Sequence, residues 1–304
     1  METRFFDYLI IGAGPAGLAS AQYAARGGLL CAVIDSSMSG GQVGQISELE
    51  NYPGLFPAQK GSDFMAGMKE QAEAFGAEVI EAYVSSIDKR DDTFIVTTRK
   101  TVFYAKTVCI ATGAFHRELG IKGEAELQGA GVSYCAVCDG PFFEGKKIFV
   151  AGGGDSACSE ATFLTNISKN VTIIHRRKSF RAQPAVVKKM LNAGVKTRLE
   201  TVIREVRGQG RVQSLLLENT ASGEISEVPA DALFIFTGMK PQTQLVDMLP
   251  KDDEGYIVTD ENMMTAMPGL FAAGDVRSKP FRQIVTAVSD GAIVAHAAQK
   301  FLEK

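Results

Sequence analysis

The sequence predicts an α/β protein of two nucleotide-binding domains, each a three-layer (ββα) Rossmann-like fold, with the second domain inserted into the first. A glycine-rich turn after an apolar strand occurs twice, at Gly12 and at Gly152, and a helix-like and a strand-like segment follow each. The C-terminal segment, about 60 residues long, is too short for an independent domain and should complete the first one. We expect the first domain to comprise 1–115 and 245–304, and the second 116–244.

The first glycine-rich turn has the spacing of a dinucleotide-binding fingerprint. Its three glycines permit a tight turn, a close approach of the backbone to a pyrophosphate, and close packing of helix and strand. The next strand ends in an acid, which favours hydrogen bonds to an unphosphorylated ribose and therefore FAD. The alternative, a turn without a ligand, does not explain the complete strand–turn–helix–strand–acid unit. The residues expected to bind here are Gly12, Gly14, Pro15, Ala16, Gly17 and Asp35.

The second turn repeats this pattern but ends differently. Gly152 is separated from His175 by 23 positions, as Gly12 is from Asp35. Arginines cluster after this strand, and they favour a ribose 2′-phosphate through charge-assisted, often bidentate bonds. We therefore expect NADPH at the second site, with a solvated basic turn as the alternative. The expected ligands are Gly152, Gly154, Asp155, Ser156, His175, Arg176, Arg177 and Arg181.

The bulk composition excludes several classes of protein. The chain has 304 residues, of which 45% are hydrophobic and 22% charged, and its net charge of −3 gives no sign of a nucleic-acid or anionic-membrane partner. No apolar run approaches the ~20 residues that span a bilayer, and the first residues lack the features of a secretory signal. Five cysteines are too few for a disulfide scaffold; we expect Cys31, Cys109 and Cys158 to be small core residues. A cytoplasmic enzyme is the expectation.

A Cys-x-x-Cys-Asp sequence, formed by Cys135, Cys138 and Asp139, lies just upstream of the second fingerprint. By itself the motif is compatible with a redox pair, a zinc half-site or buried thiols. Zinc is disfavoured because there is no second cysteine pair or nearby histidine set, so no metal is expected. An anion beside a thiol raises its pKa; we therefore interpret Asp139 as a proton carrier, with a turn residue before Gly140 and Pro141 as the alternative.

Further motifs are spread along the chain: Gly40-Gly41-Gln42, Glu50-Asn51-Tyr52-Pro53-Gly54, Ala111-Thr112-Gly113, and Ala273-Gly274-Asp275 followed by Arg282-Gln283. With the two fingerprints and the cysteine motif, they make the chain resemble the low-molecular-weight thioredoxin reductases of bacteria over essentially its full length. Most of these motifs are general flavoprotein signals. The specific one is Cys-x-x-Cys-Asp upstream of the NADPH fingerprint, since in the glutathione-reductase type the redox pair lies in the FAD domain. Val137 departs from the pattern, because many relatives carry threonine there.

The resemblance implies an NADPH-dependent, FAD-containing thioredoxin-disulfide reductase that passes electrons to the Cys135–Cys138 disulfide and then to thioredoxin. It implies that Cys138 faces the flavin and that Cys135 attacks the thioredoxin disulfide. A homodimer is implied in the same way. The resemblance also places twelve residues around the flavin: Gly40, Gly41, Gln42, Asn51, Ala111, Thr112, Gly113, Gly274, Asp275, Arg282, Gln283 and Ile284.

The position of the cysteine motif has a mechanical consequence. The disulfide and the nicotinamide site are predicted on the same inserted domain, yet both must reach one flavin held by the other domain. We therefore expect a domain rotation about linkers near 113–120 and 239–247. Two alternative functions stay open: a flavoprotein that reduces another disulfide or a peroxiredoxin partner, and a non-catalytic NADPH or redox sensor. The two cysteines, Asp139 and two complete nucleotide units argue against the sensor.

Overall fold

The structure is a computed structural model that describes residues 2–37, 40–46, 49 and 51–303. It divides the chain into two compact units: one comprises Met1–Phe115 and Lys240–Lys304, and the other is His116–Met239. The chain thus returns to the first unit at Lys240, whereas the sequence placed the end of the second domain at 244. Glu50, part of one sequence motif, lies outside the described residues.

A seven-stranded sheet forms the centre of the first unit. Its strands are β1 (Glu2–Ile11), β2 (Cys31–Asp35), β3 (Glu78–Glu81), β4 (Val84–Arg90), β5 (Thr93–Thr98), β6 (Thr101–Ile110) and β17 (Leu270–Ala272). The order is β3-β2-β1-β6-β5-β4, and β17 also pairs with β6. The first half of β6 pairs antiparallel with β5, whereas its last residues pair in parallel with β17. One long strand therefore joins the parallel nucleotide sheet to a small antiparallel sheet.

Alternation along β1 explains why this unit has three layers. Tyr8 and Ile10 lie in the core formed with the helices α1 (Pro15–Arg26), α2 (Gly61–Ala74) and α6 (Ile284–Leu302). Leu9 and Ile11 lie in a second core, formed with β4 and β5. Successive residues of a strand point to opposite faces, so the sheet is covered by helices on one side and by antiparallel strands on the other. The predicted ββα layering is confirmed.

The second unit repeats this architecture on a smaller scale. Its parallel sheet has the order β11-β10-β9-β15-β8, and β12, β13 and β14 form an antiparallel sheet. As in β1, Ile148 and Val150 of β9 face the helix side, while Phe149 and Ala151 face the antiparallel side. The bounds are β8 (Val132–Ser133), β9 (Ile148–Gly152), β10 (Val171–Ile174), β11 (Lys196–Arg198), β12 (Thr201–Arg207), β13 (Ser214–Asn219), β14 (Ile225–Pro229), β15 (Ala232–Phe236), α3 (Ala136–Asp139), α4 (Asp155–Leu164) and α5 (Pro184–Asn192).

Two short strands, β7 (Ala114–His116) and β16 (Met239–Pro241), pair with each other where the chain passes from one unit to the other. Both lie within the segments predicted to act as hinges.

Cys31, Cys109 and Cys158 are fully buried, as expected for core residues. None of the helices in the described part of the chain is long and apolar enough to cross a membrane.

Candidate functional site

The first glycine-rich turn is tightly packed on its inner side and open at the start of α1. Gly12 has φ 113°, and a Cβ on it would collide with the carbonyl of Ala111; a Cβ on Gly17 would collide with the carbonyl of Gly12. Pro15 begins α1 after Gly14, whose extended backbone caps the helix. A Cβ on Gly14, in contrast, would have no neighbour within 4 Å. The open space therefore lies where the unpaired amides at the N-terminus of α1 can bind a phosphate.

Asp35, at the end of β2, faces this turn. One of its carboxylate oxygens accepts a hydrogen bond from the amide of Ala13 (2.6 Å), and the other accepts one from the amide of Ser37 (2.9 Å). An ionised carboxylate has about four lone-pair positions, so these two bonds leave room for a ribose hydroxyl. The carboxylate thus also fixes the turn, which the sequence pattern alone did not show.

Several residues that the resemblance assigns to the flavin are brought together in the first unit. Asn51 and Gln283 are far apart in the sequence, yet the side-chain amide of Asn51 lies 3.5 Å from the side-chain oxygen of Gln283, which it can donate to. The side-chain amide of Gln42 donates to the carbonyl of Ala114. The hydroxyl of Thr112 donates to the carbonyl of Gln242 (2.6 Å). Four remote segments therefore converge at the end of the parallel sheet.

Gly274 and Asp275 form a turn that buried charges hold in place. The amide of Gly274 donates to the carboxylate of Asp290 on α6 (3.0 Å). The ammonium of Lys279 lies 3.1 Å from that carboxylate, and the guanidinium of Arg277 lies 3.4 Å from it. The side chains of Lys279 and Asp290 are only 5% and 8% exposed. Asp290 therefore joins the turn, two cations and α6 in one buried network.

The side chain of Asp275 retains capacity for a ligand. Its Oδ1 lies 3.6 Å from the ammonium of Lys279, yet it is buried and has no hydrogen-bond partner within the described structure. Burial raises the pKa of Asp275, although Lys279 and Arg282 oppose this effect. The guanidinium of Arg282 stacks 3.7 Å above the ring of Tyr256, and its Nε is also buried without a partner in the described residues. A buried acceptor and a buried donor are thus available to a polar ligand.

Arg277, Lys279 and Asp290 were not among the residues that the sequence motifs selected. The sequence contained a signal for two of them: Lys279 lies four positions after Asp275, and Asp290 interrupts the apolar pattern of α6. Neither signal shows that Lys279 and Asp290 contact each other, because that contact forms only in the folded chain.

The second glycine-rich turn has the same construction as the first. A Cβ on Gly152 would collide with Ala157 and with the carbonyl of Phe236, whereas Gly154 has open space before it. Gly154 caps α4 with extended backbone, as Gly14 caps α1. Asp155 accepts a hydrogen bond from the amide of Gln183 (2.7 Å), and Ser156 is exposed.

His175 does not lie beside the arginines that follow it in the sequence. Its ring is 6% exposed, stacks on Phe180 with 5.5 Å between centroids, and lies so close to Gly153 that a Cβ there would overlap it. Burial lowers the pKa of His175, with smaller opposing effects from backbone hydrogen bonds, so the ring supports the glycine turn as a neutral group. Its Nε2 has no partner in the described residues.

The three arginines of this segment are exposed: Arg176, Arg177 and Arg181. None of them takes part in an ion pair with another described residue, whereas the neighbouring Lys178 lies 3.9 Å from Glu200. The amide of Arg181 donates to the carbonyl of Gly153 (2.7 Å), which places this arginine beside the glycine turn. The segment therefore presents unpaired positive charge next to the helix N-terminus.

Cys135 and Cys138 form a disulfide with 5.3 Å between their Cα atoms. Cys135 caps the short helix α3, and its sulfur accepts a hydrogen bond from the amide of Cys138 (3.2 Å). Asp139 is the residue after Cys138, and its carboxylate accepts a hydrogen bond from the hydroxyl of Ser133 (2.6 Å). Burial raises the pKa of Asp139, while the bond from Ser133 opposes the shift. The described residues contain no group of three or more potential ligands placed to hold a metal ion.

Glu160 on α4 is a further candidate residue of the second site that the sequence motifs did not select. Its Oε2 is buried without a hydrogen-bond partner in the described chain, and burial raises the pKa of this carboxyl. It lies one helical turn after Ser156, so its spacing from the second fingerprint was the available signal.

Comparison with known proteins places the chain in a family. The pyridine nucleotide-disulphide oxidoreductase family matches residues 6–291. A thioredoxin reductase of Treponema pallidum is 48% identical over 304 residues, which cover 100% of this chain and 99% of that protein. The crystal structure of thioredoxin reductase from Streptococcus pyogenes has a TM-score of 0.92 at 43% identity, covering 98% of both chains. A thioredoxin reductase structure from Lactococcus lactis, described as its FR conformation, has a TM-score of 0.68 at 41% identity and covers 98% of this chain and 99% of its own. The chain belongs to the pyridine nucleotide-disulphide oxidoreductase family and, within it, to the low-molecular-weight thioredoxin reductases.

Proposed function

We propose that the chain is a thioredoxin-disulfide reductase that uses NADPH and FAD. The observation that carries this proposal is the Cys135–Cys138 disulfide followed directly by the half-buried carboxyl of Asp139, in the same unit as the arginine-flanked glycine turn. That combination suits electron transfer to a disulfide better than it suits a zinc site or a structural cross-link. The similar proteins from Treponema and Streptococcus, both named thioredoxin reductases, support thioredoxin as the partner.

The first unit fits FAD. The open space before Gly14 suits a pyrophosphate, and the carboxylate of Asp35 suits the adenosine ribose. Oδ1 of Asp275 and Nε of Arg282 are buried and have no hydrogen-bond partner among the described residues. The polar chain and the ring edge of the flavin could supply the missing hydrogen bonds. We assign the remaining residues of the resemblance to the same site, from Gly40 to Gln42, Asn51, Ala111 to Gly113, and Gln283 with Ile284. The flavin, when bound, supplies two-electron transfer.

The second unit fits NADPH. The open space before Gly154 again suits a pyrophosphate at a helix N-terminus. Arg176, Arg177 and Arg181 are exposed and form no ion pair with a described acid, which leaves them available to a 2′-phosphate. We assign His175 to holding the turn through Gly153, because a buried neutral ring contributes no charge to a phosphate.

The chain's own groups perform the thiol chemistry. Reduction breaks the S–S bond with one electron pair, and the sulfur that leaves must take up a proton. Burial raises the pKa of Asp139 above its ordinary value, which favours the protonated carboxyl, so Asp139 is suited to donate this proton. The resulting dithiol exchanges with the disulfide of thioredoxin through a mixed disulfide. On the resemblance, Cys135 makes that attack and Cys138 faces the flavin.

We further propose that the two units rotate relative to each other about 113–120 and 239–247 during turnover. The disulfide lies in the same unit as the arginine-flanked glycine turn, and on this proposal both must reach a flavin held by the other unit. A disulfide cross-link between the units that left turnover unchanged would contradict it. A homodimer is expected on the resemblance, and sedimentation equilibrium tests the assembly.

The proposed function is tested by anaerobic titration with NADPH and then with thioredoxin, following the absorbance of the flavin. NADPH should bleach the flavin, and oxidised thioredoxin should restore its colour. Cys135→Ser should abolish thioredoxin reduction because the attacking sulfur is lost, while bleaching by NADPH survives. Cys158→Ser is the matched control, since Cys158 is a buried free thiol of the same unit.

The alternatives predict other results. Turnover with another disulfide but not with thioredoxin would favour a different disulfide reductase. Failure of NADPH to bleach the flavin would favour the sensor.

A further inference from the structure

We infer that Ser133 is a positioning residue for the reaction of the disulfide: it holds the carboxyl of Asp139 in the orientation that delivers a proton to the leaving sulfur. The inference rests on the proposed function for the source of the electron pair. Its evidence is the set of contacts that the Ser133 hydroxyl makes around α3.

The hydroxyl of Ser133 connects the disulfide loop to Asp139. It donates to Asp139 Oδ2 (2.6 Å), lies 3.3 Å from the carbonyl of Cys135, and accepts a hydrogen bond from the amide of Cys135 (3.1 Å). One side chain thus touches both the first residue of the redox pair and the proton carrier. A hydroxyl has one proton and two lone pairs, so the short bond to Asp139 is compatible with the contact from Cys135.

Ser133 is itself held rigidly. It is 4% exposed, and it belongs to β8, where it pairs with Phe234 of β15. The position of the hydroxyl is therefore set by the parallel sheet and not by the loop. A catalytic group must be held close to its productive geometry by such supporting contacts.

The contact to Oδ2 bears on which oxygen carries the proton. With Ser133 donating to Oδ2, we assign the proton of the neutral carboxyl to Oδ1. When the Cys135–Cys138 bond breaks, the leaving sulfur takes the electron pair and then this proton, and Asp139 becomes a carboxylate. The hydrogen bond from Ser133 stabilises that carboxylate, and solvent restores the proton afterwards.

Burial raises the pKa of Asp139, and the hydrogen bond from Ser133 opposes this shift. Helix α4 packs against α3, but its carboxyls on Asp155 and Glu160 form no hydrogen bond with Asp139 among the described contacts. Ser133 is therefore the side chain to change when the environment of this carboxyl is tested.

The first measurement is the pKa of the Asp139 carboxyl in the oxidised full-length chain, from ¹³C NMR of labelled aspartate assigned with Asp139→Asn. Ser133→Ala should raise this pKa by about one unit, because a hydrogen bond to a charged group is lost. Ser133→Thr keeps the hydroxyl and should stay close to the parent. Ser168→Ala is the matched control: Ser168 is a buried serine of the same unit that accepts from the amide of Asn170 and donates to the carbonyl of Lys146, but touches no carboxylate.

The second measurement is the rate at which the NADPH-bleached flavin regains its colour as electrons pass to the disulfide. Ser133→Ala should slow this step severalfold at low pH, where both forms of the enzyme have a protonated Asp139. The pH above which the rate declines should move upward with the pKa. In the Asp139→Asn background, Ser133→Ala should cause no further loss, because Ser133 acts through Asp139.

An unchanged pKa in Ser133→Ala, or an equal loss of rate with and without Asp139, would overturn the inference. A fall in rate that Ser168→Ala matches would do the same, since it would show a general effect of removing a buried hydroxyl. If the parent enzyme failed to reduce thioredoxin, the proposed function would fall, and the NMR titration would still decide the role of Ser133.

Discussion

The two nucleotide units share a turn but differ in what surrounds it. Both place a glycine cap with open space before a helix, at Gly14 and at Gly154, and both pack the first glycine against the carbonyl of a neighbouring strand. The first unit then closes this region with the buried network of Asp290, Lys279 and Arg277. The second unit leaves Arg176, Arg177 and Arg181 exposed, and none of the three forms an ion pair with another described residue.

The ion pairs of the two units differ in the same way. Lys279 and Asp290 are nearly inaccessible, whereas each ion pair among the described residues of the second unit includes an exposed cation, such as Lys122 at 79% exposure. A buried network has to form with the fold and resists rearrangement, while exposed charges remain available to a ligand that arrives and leaves. We interpret the first site as built for a ligand that stays and the second as built for one that exchanges.

The largest expected effect tests the buried network. Asp290→Ala leaves the ammonium of Lys279 and the guanidinium of Arg277 buried without their carboxylate, and removes the acceptor of the Gly274 amide. We expect a loss of about 3–5 kcal/mol in the free energy of unfolding, together with loss of bound flavin during gel filtration. Urea unfolding followed by circular dichroism, with the flavin-to-protein absorbance ratio, measures both.

The second unit provides the matched control for that substitution. Glu205 also bridges two cations, Lys122 and Arg207, but at the surface. Surface ion pairs contribute little to stability, so Glu205→Ala should leave the unfolding midpoint and the flavin content nearly unchanged. Equal effects of the two substitutions would remove the distinction between the closed and the open site.

The next effect tests the open site. Arg176→Ala should lower kcat/KM for NADPH by about 10- to 100-fold, the value of one charge-assisted hydrogen bond, while kcat/KM for NADH changes little. Lys178→Ala removes a cation from the same segment, but one that is paired with Glu200, and should have a much smaller effect. Steady-state kinetics with both nucleotides give the comparison, and equal losses for NADPH and NADH would contradict a 2′-phosphate role.

The features that the sequence predicted correctly are those that depend on local pattern. The glycine turns, the apolar strands that precede them and the duplicated layers follow from patterns that short stretches of the sequence contain. The missed residues depend on contacts between distant segments. Asp290 reaches Gly274 only because α6 packs against α1 at Gly291, and Ser133 reaches Asp139 only because the chain turns through α3.

His175 shows the limit of such spacing arguments most clearly. In the sequence it is the first residue of a basic run, which predicts a cation that contacts phosphate. In the fold it directly follows the buried strand β10, and its ring packs against Gly153 while the arginines after it reach solvent. The composition of the basic run does not show which of its side chains turns inward.

The smallest expected effect is a pH dependence that separates the two units. The second unit contains His116 and His175; burial lowers the pKa of His116 to about 4 and also lowers that of His175. The folded state therefore excludes protons that the unfolded state binds below about pH 6.5. The stability that these residues contribute is complete above that pH and falls as the pH drops toward 4. Hydrogen exchange of the β9 and β10 amides should report the loss. His116→Gln should flatten the dependence, whereas His296→Gln, at an exposed position on α6 of the first unit, should leave it unchanged. If the amides of β1 and β2 showed the same acid dependence as those of β9 and β10, and His116→Gln did not alter it, burial of histidine would not be what distinguishes the two units.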